Sequence, residues 1–446
     1  MRDVLLLLVI FSALLVALRY PFIGIVTWAW FTLMSPHQMA YGSFGIPLNL
    51  VIAAVTIFSL TIHGEFKRGG MDVITGLLFL FSGWLFVAQS FSLNQELSAE
   101  YFDRFIKTIL FVIICAQVTT DKLRLHTLLW IIVLTLGYYG AKGALFTILT
   151  LGEYRVQGIT NTILEDNNHM GIALATVLPL ILYLRGQASH PWLRHGLMAL
   201  FVMTIISVFG THSRGAFISL VIFSGYLWAK SNHKVSILAA LIIISIPMVA
   251  FMPAKWTERM ATIGEATQDA SFMGRIDAWV INYKLAEKNP VTGAGLRNSY
   301  DKDIAKQAAP LRADSAKAAH SIYFEILGGT GFVGLALYLG ILGTAFFSAR
   351  MIYLKRKRAE KDDWVLSFGY YTQISLAVFF VGGASVSLEM WDGYWLLIAM
   401  TAALSRVSDK EAKHLDVRLA PHNRRRWRIA SRGQTTSNVT LSNRAQ

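Results

Sequence analysis

Residues 4–34 read VLLLLVIFSALLVALRYPFIGIVTWAWFTLM. This apolar run is long enough for one membrane helix with residues to spare, and short for two. Arg19, Tyr20 and Pro21 interrupt it near the middle. Proline has no backbone donor and breaks a helix at that point. The run is therefore one broken span or two short ones, and charge decides the count. Short loops rich in Lys and Arg stay in the cytoplasm. Such loops occur at Lys67-Arg68, from Lys122 to Arg124, from Arg185 to Arg194, from Lys230 to Lys234, at Lys355-Arg356-Lys357-Arg358, and in the C-terminal tail. The connections 35–45 and 386–388 carry neither residue type. All of this agrees if 4–34 is a single crossing with the amino terminus inside.

Further apolar runs occupy 46–62, 71–91, 105–118, 123–149, 169–184, 195–210, 213–229, 234–252, 321–349, 366–385 and 389–405. The expectation is an all-α polytopic membrane protein with twelve crossings and both termini in the cytoplasm. Residues 1–252 hold the first nine spans, 253–319 form one long outer loop, 320–405 hold the last three spans, and 406–446 form a basic tail. A cleaved leader fits residues 1–19 less well than a first span. Met1-Arg2-Asp3 has almost no net charge, and apolar sequence resumes at once. No internal repeat is visible.

Composition agrees. Hydrophobic residues make up 54% of the 446 and charged residues 15%, against about 25% charged in soluble domains. So much apolar sequence does not fit inside one soluble core. Cys115 is the lone cysteine, which excludes a disulfide scaffold. The net charge of +14 suggests cytoplasmic loops first and an anionic partner second. From Arg406 onward there are ten Lys and Arg against three Asp and Glu, half of that charge. The run Arg424-Arg425-Arg426-Trp427-Arg428 beside a last span suits anionic lipid headgroups better than nucleic acid.

The loop 253–319 is the one long polar segment between spans, and long loops are functional or disordered. Ala278, Trp279, Ile281, Tyr283 and Leu285 predict an amphipathic helix over 274–288, stopped at Asn289-Pro290. A second helical stretch is expected through 304–319. The loop carries many cations, among them Lys255, Arg259, Arg275, Arg297, Arg312 and Lys317.

Four sites carry candidate chemistry. Thr211-His212-Ser213-Arg214-Gly215 puts a guanidinium at the membrane boundary. It either snorkels to water or serves a ligand. Gly274-Arg275-Ile276-Asp277 begins the loop helix, where a cation opposes the helix dipole unless an anion binds. An Arg275–Asp277 surface pair is the plainer explanation. His320 and Tyr323 stand where the loop re-enters the membrane, and Glu325 lies one turn deeper, where a carboxylate is costly unless paired. Each also suits an interfacial cap or aromatic belt. Glu165-Asp166-Asn167-Asn168-His169 precedes a span and includes a helix-cap pattern, with Arg155 nearby. No metal-ligand spacing and no phosphate-binding Gly-Lys loop occurs in the chain.

Taken together, these stretches resemble the bacterial O-antigen ligase and O-antigen polymerase superfamily. The resemblance rests on 165–169, Ser213-Arg214-Gly215-Ala216, Gly274-Arg275 with Trp279, and Asn289-Pro290-Val291-Thr292-Gly293-Ala294-Gly295. It continues in His320-Ser321-Ile322-Tyr323-Phe324-Glu325 with Gly331 and Gly334. Asn167 departs from the family pattern, which often has proline there. The N-terminal third is similar to the O-glycosylation-ligase variant found beside exosortase systems. The resemblance implies a helical glycosyltransferase of the GT-C kind in the bacterial inner membrane, working on the periplasmic side. It implies a glycan donor on undecaprenyl pyrophosphate and no cofactor, metal or nucleotide. The acceptor would be lipid A–core oligosaccharide, for a ligase. A second lipid-linked glycan, for a polymerase, and a protein hydroxyl are the alternatives. In that reading Arg214 and Arg275 hold the pyrophosphate, because guanidinium suits phosphate geometry. His320 is then the base. Asn168, His169, His212, Tyr323, Glu325 and Arg155 are supporting candidates. A secondary transporter is the rival from another class. Its sites lie near mid-membrane, whereas these charges gather at the outer boundary.

Overall fold

The computed structural model describes residues 2–40, 45–230, 234–235, 270–316, 318–359 and 363–410. The expected span 234–252, the loop cations Lys255, Arg259 and Lys317, and the tail beyond residue 410 lie wholly or largely outside the described residues. Among the described residues there is no strand. The helices are α1 (Arg2–Arg19), α2 (Pro21–Met34), α3 (Leu48–Ile62), α4 (Val73–Ser90), α5 (Gln95–Val118), α6 (Lys122–Leu149) and α7 (Asn167–Gln187). They continue with α8 (Pro191–Gly210), α9 (Arg214–Lys230), α10 (Ala270–Lys288), α11 (Lys302–Ala308), α12 (Ile322–Arg358) and α13 (Trp364–Gly383), followed by α14 over 392–410. Helices α4, α6, α7, α8, α12 and α13 are long and apolar enough to cross a membrane, and α2, α3 and α9 are shorter apolar helices. The chain is a helical, multi-pass membrane protein.

Polar caps mark where many of these helices begin. Asp72, Asn94, Asp121, Asp166 and Asp363 each accept a hydrogen bond from a free backbone N–H of the following first turn. The Asn94 cap starts α5 ten residues before the apolar run that sequence marks at 105. Helix α7 is apolar on every side and lies at the centre, packed against α6, α8, α9 and α13.

Residues 4–34 differ from the single-crossing expectation. The chain turns at Tyr20 (φ −124°, ψ 86°), and α1 and α2 pack against each other and against α3. Ser59 Oγ donates to Ala17 O across 2.6 Å, which ties the end of α1 to the end of α3. The 3-10 turn Pro36–Met39 beyond α2 also touches α1. A 14-residue helix is about 21 Å long, so that contact requires α1 to run back alongside α2. Pro21 at the start of α2 makes this reversal possible.

One end of the bundle is braced by ion pairs. Arg406 reaches Asp72 and the carbonyls of Gly70 and Ala116. Arg124 bonds Glu65 and the Val118 carbonyl, each at 2.7 Å. Arg356 bonds Asp363 at 2.7 Å and Ser408 Oγ at 2.9 Å. Basic residues of the loops that the sequence reading expects in the cytoplasm thus also clasp neighbouring helices.

The loop folds at the other end. Helix α10 starts four residues before the expected 274, and its Ile281 and Leu285 form a small core with Ala294, Ala305 and Ala308. The expected second helix over 304–319 is only the short α11. Pro310 stops it by forcing Ala309 out of the helical region, to φ −147° and ψ 81°. Helix α12 is broken at Gly331 (φ 72°, ψ −174°), and the segment 289–295 docks into the break through main-chain bonds. Ala294 N–H donates to Gly328 O at 2.8 Å, Gly295 N–H to Gly329 O at 3.1 Å, and Phe332 N–H to Pro290 O at 2.9 Å. Gly293 has a left-handed φ of 69°, and a Cβ there would lie 2.5 Å from Gly331 N. Only glycine fits such a backbone approach.

Candidate functional site

The loop-side end gathers three histidines, with different freedom. Asp166 accepts from the N–H groups of Asn168 (2.8 Å) and His169 (3.3 Å), which fixes the start of α7. His169 Nδ1 lies 2.7 Å from Ile163 O, so Nδ1 carries the proton and donates. Its Nε2 then accepts from Ser387 N–H at 3.3 Å. Both ring nitrogens are engaged with main chain, which makes His169 a structural support. His212, at φ 52°, sits in the turn before α9 and its Nε2 donates to Gly152 O at 3.0 Å. Asn167 Nδ2 donates to Thr211 O at 2.7 Å and ties that turn to α7.

His320 is different. Its Nδ1 is buried and has no hydrogen-bond partner among the described residues. Its ring stands edge-on to His169, 6.0 Å between centroids. The backbone is left-handed (φ 44°), an unfavourable state for a residue with a Cβ. Such strain persists where the surroundings enforce it. Here Trp279 Nε1 donates to Ala319 O at 2.6 Å on one side, and Ser321 opens α12 on the other. Burial lowers the imidazole pKa to about 4, helped by the positive charge of Arg275 and by His169, while Asp166 pulls the other way. His320 is therefore neutral at physiological pH. Burial raises the Asp166 carboxyl, but His169 and the Asn168 hydrogen bonds hold it below the usual range.

A buried ion cluster adjoins the histidines. Arg297 Nη2 donates to Glu389 Oε1 at 2.7 Å, and its Nη1 faces Glu325 Oε1 at 3.4 Å and Tyr300 Oη at 2.8 Å. Tyr300 Oη in turn donates to Glu325 Oε1 at 2.6 Å. Ser387 Oγ donates to the same Glu325 oxygen at 2.9 Å. Tyr101 and Tyr300 flank the guanidinium at 5.4 and 5.1 Å from their ring centroids. Burial opposes the Arg297 charge, but Glu325 and Glu389 outweigh it and raise its pKa. Burial also raises the Glu389 carboxyl, against the pull of Arg297.

The structure brings His320, His169, Asp166 and Glu325 together, and Arg275 is close enough to act on His320. Arg214 opens α9 and is half-buried. Asp277 accepts from Arg312 and Ser315, both at 2.6 Å. Tyr323 Oη donates to Phe380 O at 2.7 Å and joins α12 to α13. Asn168 contributes to the α7 cap beside Asp166. Arg155 is exposed on the segment between α6 and α7.

Sequence reasoning passed over Arg297, Tyr300, Ser387 and Glu389. Arg297 was one loop cation among many, and its position two residues past Gly295 was the available signal. Glu389 lies at the start of the apolar run 389–405, although a carboxylate there is costly without a partner.

The N-terminal segment is built into the same site. Tyr101 covers Arg297, Leu93 N–H donates to Ala294 O at 2.9 Å, Asn94 Nδ2 donates to Asp301 at 2.9 Å, and Trp84 Nε1 donates to Thr330 O at 3.0 Å. Residues 1–189 match a model described as a family of unknown function (DUF5935). No curated protein matches the chain. Residues 199–339, which carry Arg214, Arg275, Arg297, His320 and Glu325, match the family model described as O-antigen ligase. The chain thus carries, over residues 199–339, a domain similar to the O-antigen ligase family.

Proposed function

We propose that the chain is an O-antigen ligase. It transfers a glycan from undecaprenyl pyrophosphate to lipid A–core oligosaccharide at the periplasmic face of the inner membrane. The observation that carries this is His320: a neutral imidazole with an open buried nitrogen, within electrostatic reach of Arg275, inside the segment that matches the ligase family. In this reading Arg214 and Arg275 take the pyrophosphate oxygens. Fixed positive charge in a partly dry site is the largest catalytic contribution expected. His320 takes the proton of the acceptor hydroxyl. The hydroxyl oxygen bonds to C1 of the sugar as the C1–O bond to the pyrophosphate breaks. The leaving diphosphate departs with the electron pair, held by the guanidiniums. Attack opposite the leaving group inverts C1 in a single displacement. Two arginines supply the charge that a metal would otherwise provide.

The membrane frame of this reading puts the ion-pair-clasped end in the cytoplasm, by its positive residues, and the loop-side end in the periplasm. Back-folded α1 then returns the amino terminus to the periplasmic end. That replaces the cytoplasmic placement and the twelve crossings that follow from a single first span.

The test is a deletion strain complemented with wild type or His320→Ala, scored by gel for capped lipopolysaccharide, polymerised glycan and glycosylated protein. Capped lipopolysaccharide that returns with wild type only supports the ligase. Polymer or glycoprotein instead would move the acceptor and keep the donor chemistry. Normal transfer by well-expressed His320→Ala would overturn the reading.

A further inference from the structure

Four stretches far apart in sequence meet on one turn, residues 384–391, between α13 and α14. Every second residue of it holds a different partner. Ser385 lies against Gly215, the neighbour of Arg214, so closely that a Cβ on Gly215 would run into Ser385 Oγ. Ser387 N–H donates to His169 Nε2 at 3.3 Å, and Ser387 Oγ donates to Glu325 at 2.9 Å. Glu389 accepts from Arg297 at 2.7 Å. The starts of α7, α9 and α12 and the loop arginine are thus all referred to one short piece of chain.

The turn is itself held firmly. Val386, Ser387, Leu388 and Glu389 are buried. The Glu389 carbonyl accepts from Trp395 Nε1 at 2.8 Å and from Tyr394 Oη at 3.2 Å. Trp391 N–H closes on Leu388 O at 3.0 Å. A support shell of this kind keeps reacting groups in productive geometry.

We propose that the turn 384–391 is the positioning element of the transfer site, with Ser387 as its central positioning residue. The inference rests on the transferase reading and deepens it. The turn lies outside both matched segments, 1–189 and 199–339. Ser387 acts through others. Its N–H completes the pair of main-chain bonds that stops the His169 ring from turning, and that ring is the edge against which His320 stands. Its Oγ fixes Glu325, which with Glu389 brackets Arg297 and so fixes the loop segment that carries it. Loss of the hydroxyl leaves every substrate-contacting group present and lets the two histidine-bearing helix starts drift apart.

The experiment compares wild type, Ser387→Ala and Ser387→Thr, purified in detergent with lipid-linked donor. Displacement of a reacting group by about 1 Å costs up to about a hundredfold in rate, so Ser387→Ala should lower kcat about ten- to a hundredfold with donor KM within about twofold. Ser387→Thr, which keeps the hydroxyl, should recover most of the loss. Unchanged kcat in Ser387→Ala, a loss carried by KM, or no recovery with threonine would each overturn the proposal. Histidine ring NMR on the same three proteins reads the geometry without turnover. His320 resonances should move in Ser387→Ala and return in Ser387→Thr; an unmoved His320 spectrum overturns the positioning role. A wild type that transfers nothing would refute the transferase reading, while the NMR comparison still judges the turn.

Discussion

Trp279 and Phe324 lie ring on ring, 5.1 Å between centroids and 7° from parallel. The first is on the loop helix α10 and the second on the first turn of α12. Together with the Trp279 Nε1 bond to Ala319 O, the stack sets where α10 meets the strained backbone of His320. Trp279→Ala should lower transfer at least about tenfold, through displacement of Arg275 relative to His320. Trp279→Phe keeps the stack and loses the hydrogen bond, and should fall between the two in a purified transfer assay.

Arg297 bonds two buried carboxylates. Removal of one partner of a buried ion pair typically costs about 3–5 kcal/mol, because it leaves charge without compensation. Arg297→Ala should therefore unfold at a clearly lower temperature in detergent. Adding Glu325→Gln and Glu389→Gln to that variant should restore part of the loss. A triple variant no more stable than the single one would contradict the ion-cluster account.

His320 gives a signed pH dependence. In the unfolded chain a histidine titrates near ~6.5, and in the fold His320 titrates at about 4. Between those values the unfolded chain binds more protons, so stability is full above the upper value and falls as pH drops toward the lower one. His320→Asn should flatten that part of the stability profile. Arg275→Gln removes the charge that most lowers the His320 pKa and should raise the His320 midpoint in a histidine NMR titration.

Gly331 allows the break in α12. Its φ is 72°, and a Cβ would meet the Val291 carbonyl. Gly331→Ala should cost about 1–3 kcal/mol as backbone strain, read as lower yield of folded protein. Gly340 in the same helix has nothing within 4 Å of a built Cβ. Gly340→Ala should be neutral or stabilising.

The hairpin of α1 and α2 predicts accessibility. Single cysteines at Arg2→Cys and Ser35→Cys should react with an impermeant maleimide from the same side of the membrane, and Tyr20→Cys from the opposite side. Opposite labelling of positions 2 and 35 would restore a single crossing.

Much of this was legible in the sequence because hydropathy and boundary charge are local. The apolar runs gave the helices, and Asn289-Pro290 ended α10 as expected. His320 and Arg275 stood out because charge near an apolar boundary needs a reason. The hairpin at Tyr20 was not legible, since Pro21 fits both a kink and a reversal and only the packing on α3 separates them. The second loop helix ends early because Pro310 keeps Ala309 out of the helical region, a local signal that the sequence does carry. Ser387 was invisible for another reason: a serine in a turn has no sequence mark until its partners, His169 and Glu325, are placed beside it. Glu389 could have been found by asking what neutralises a carboxylate between Leu388 and Met390.

The joint between 289–295 and the broken α12 is made almost wholly of main-chain atoms. A joint of that kind specifies location without specifying vocabulary. Side chains that project from Val291, Thr292 and the neighbouring loop can be exchanged without loosening the seam, provided the glycines remain. Surface side chains can thus diversify on this loop while His320 and the arginines keep their coordinates, so that, under the proposed function, one frame can be refitted to different acceptors.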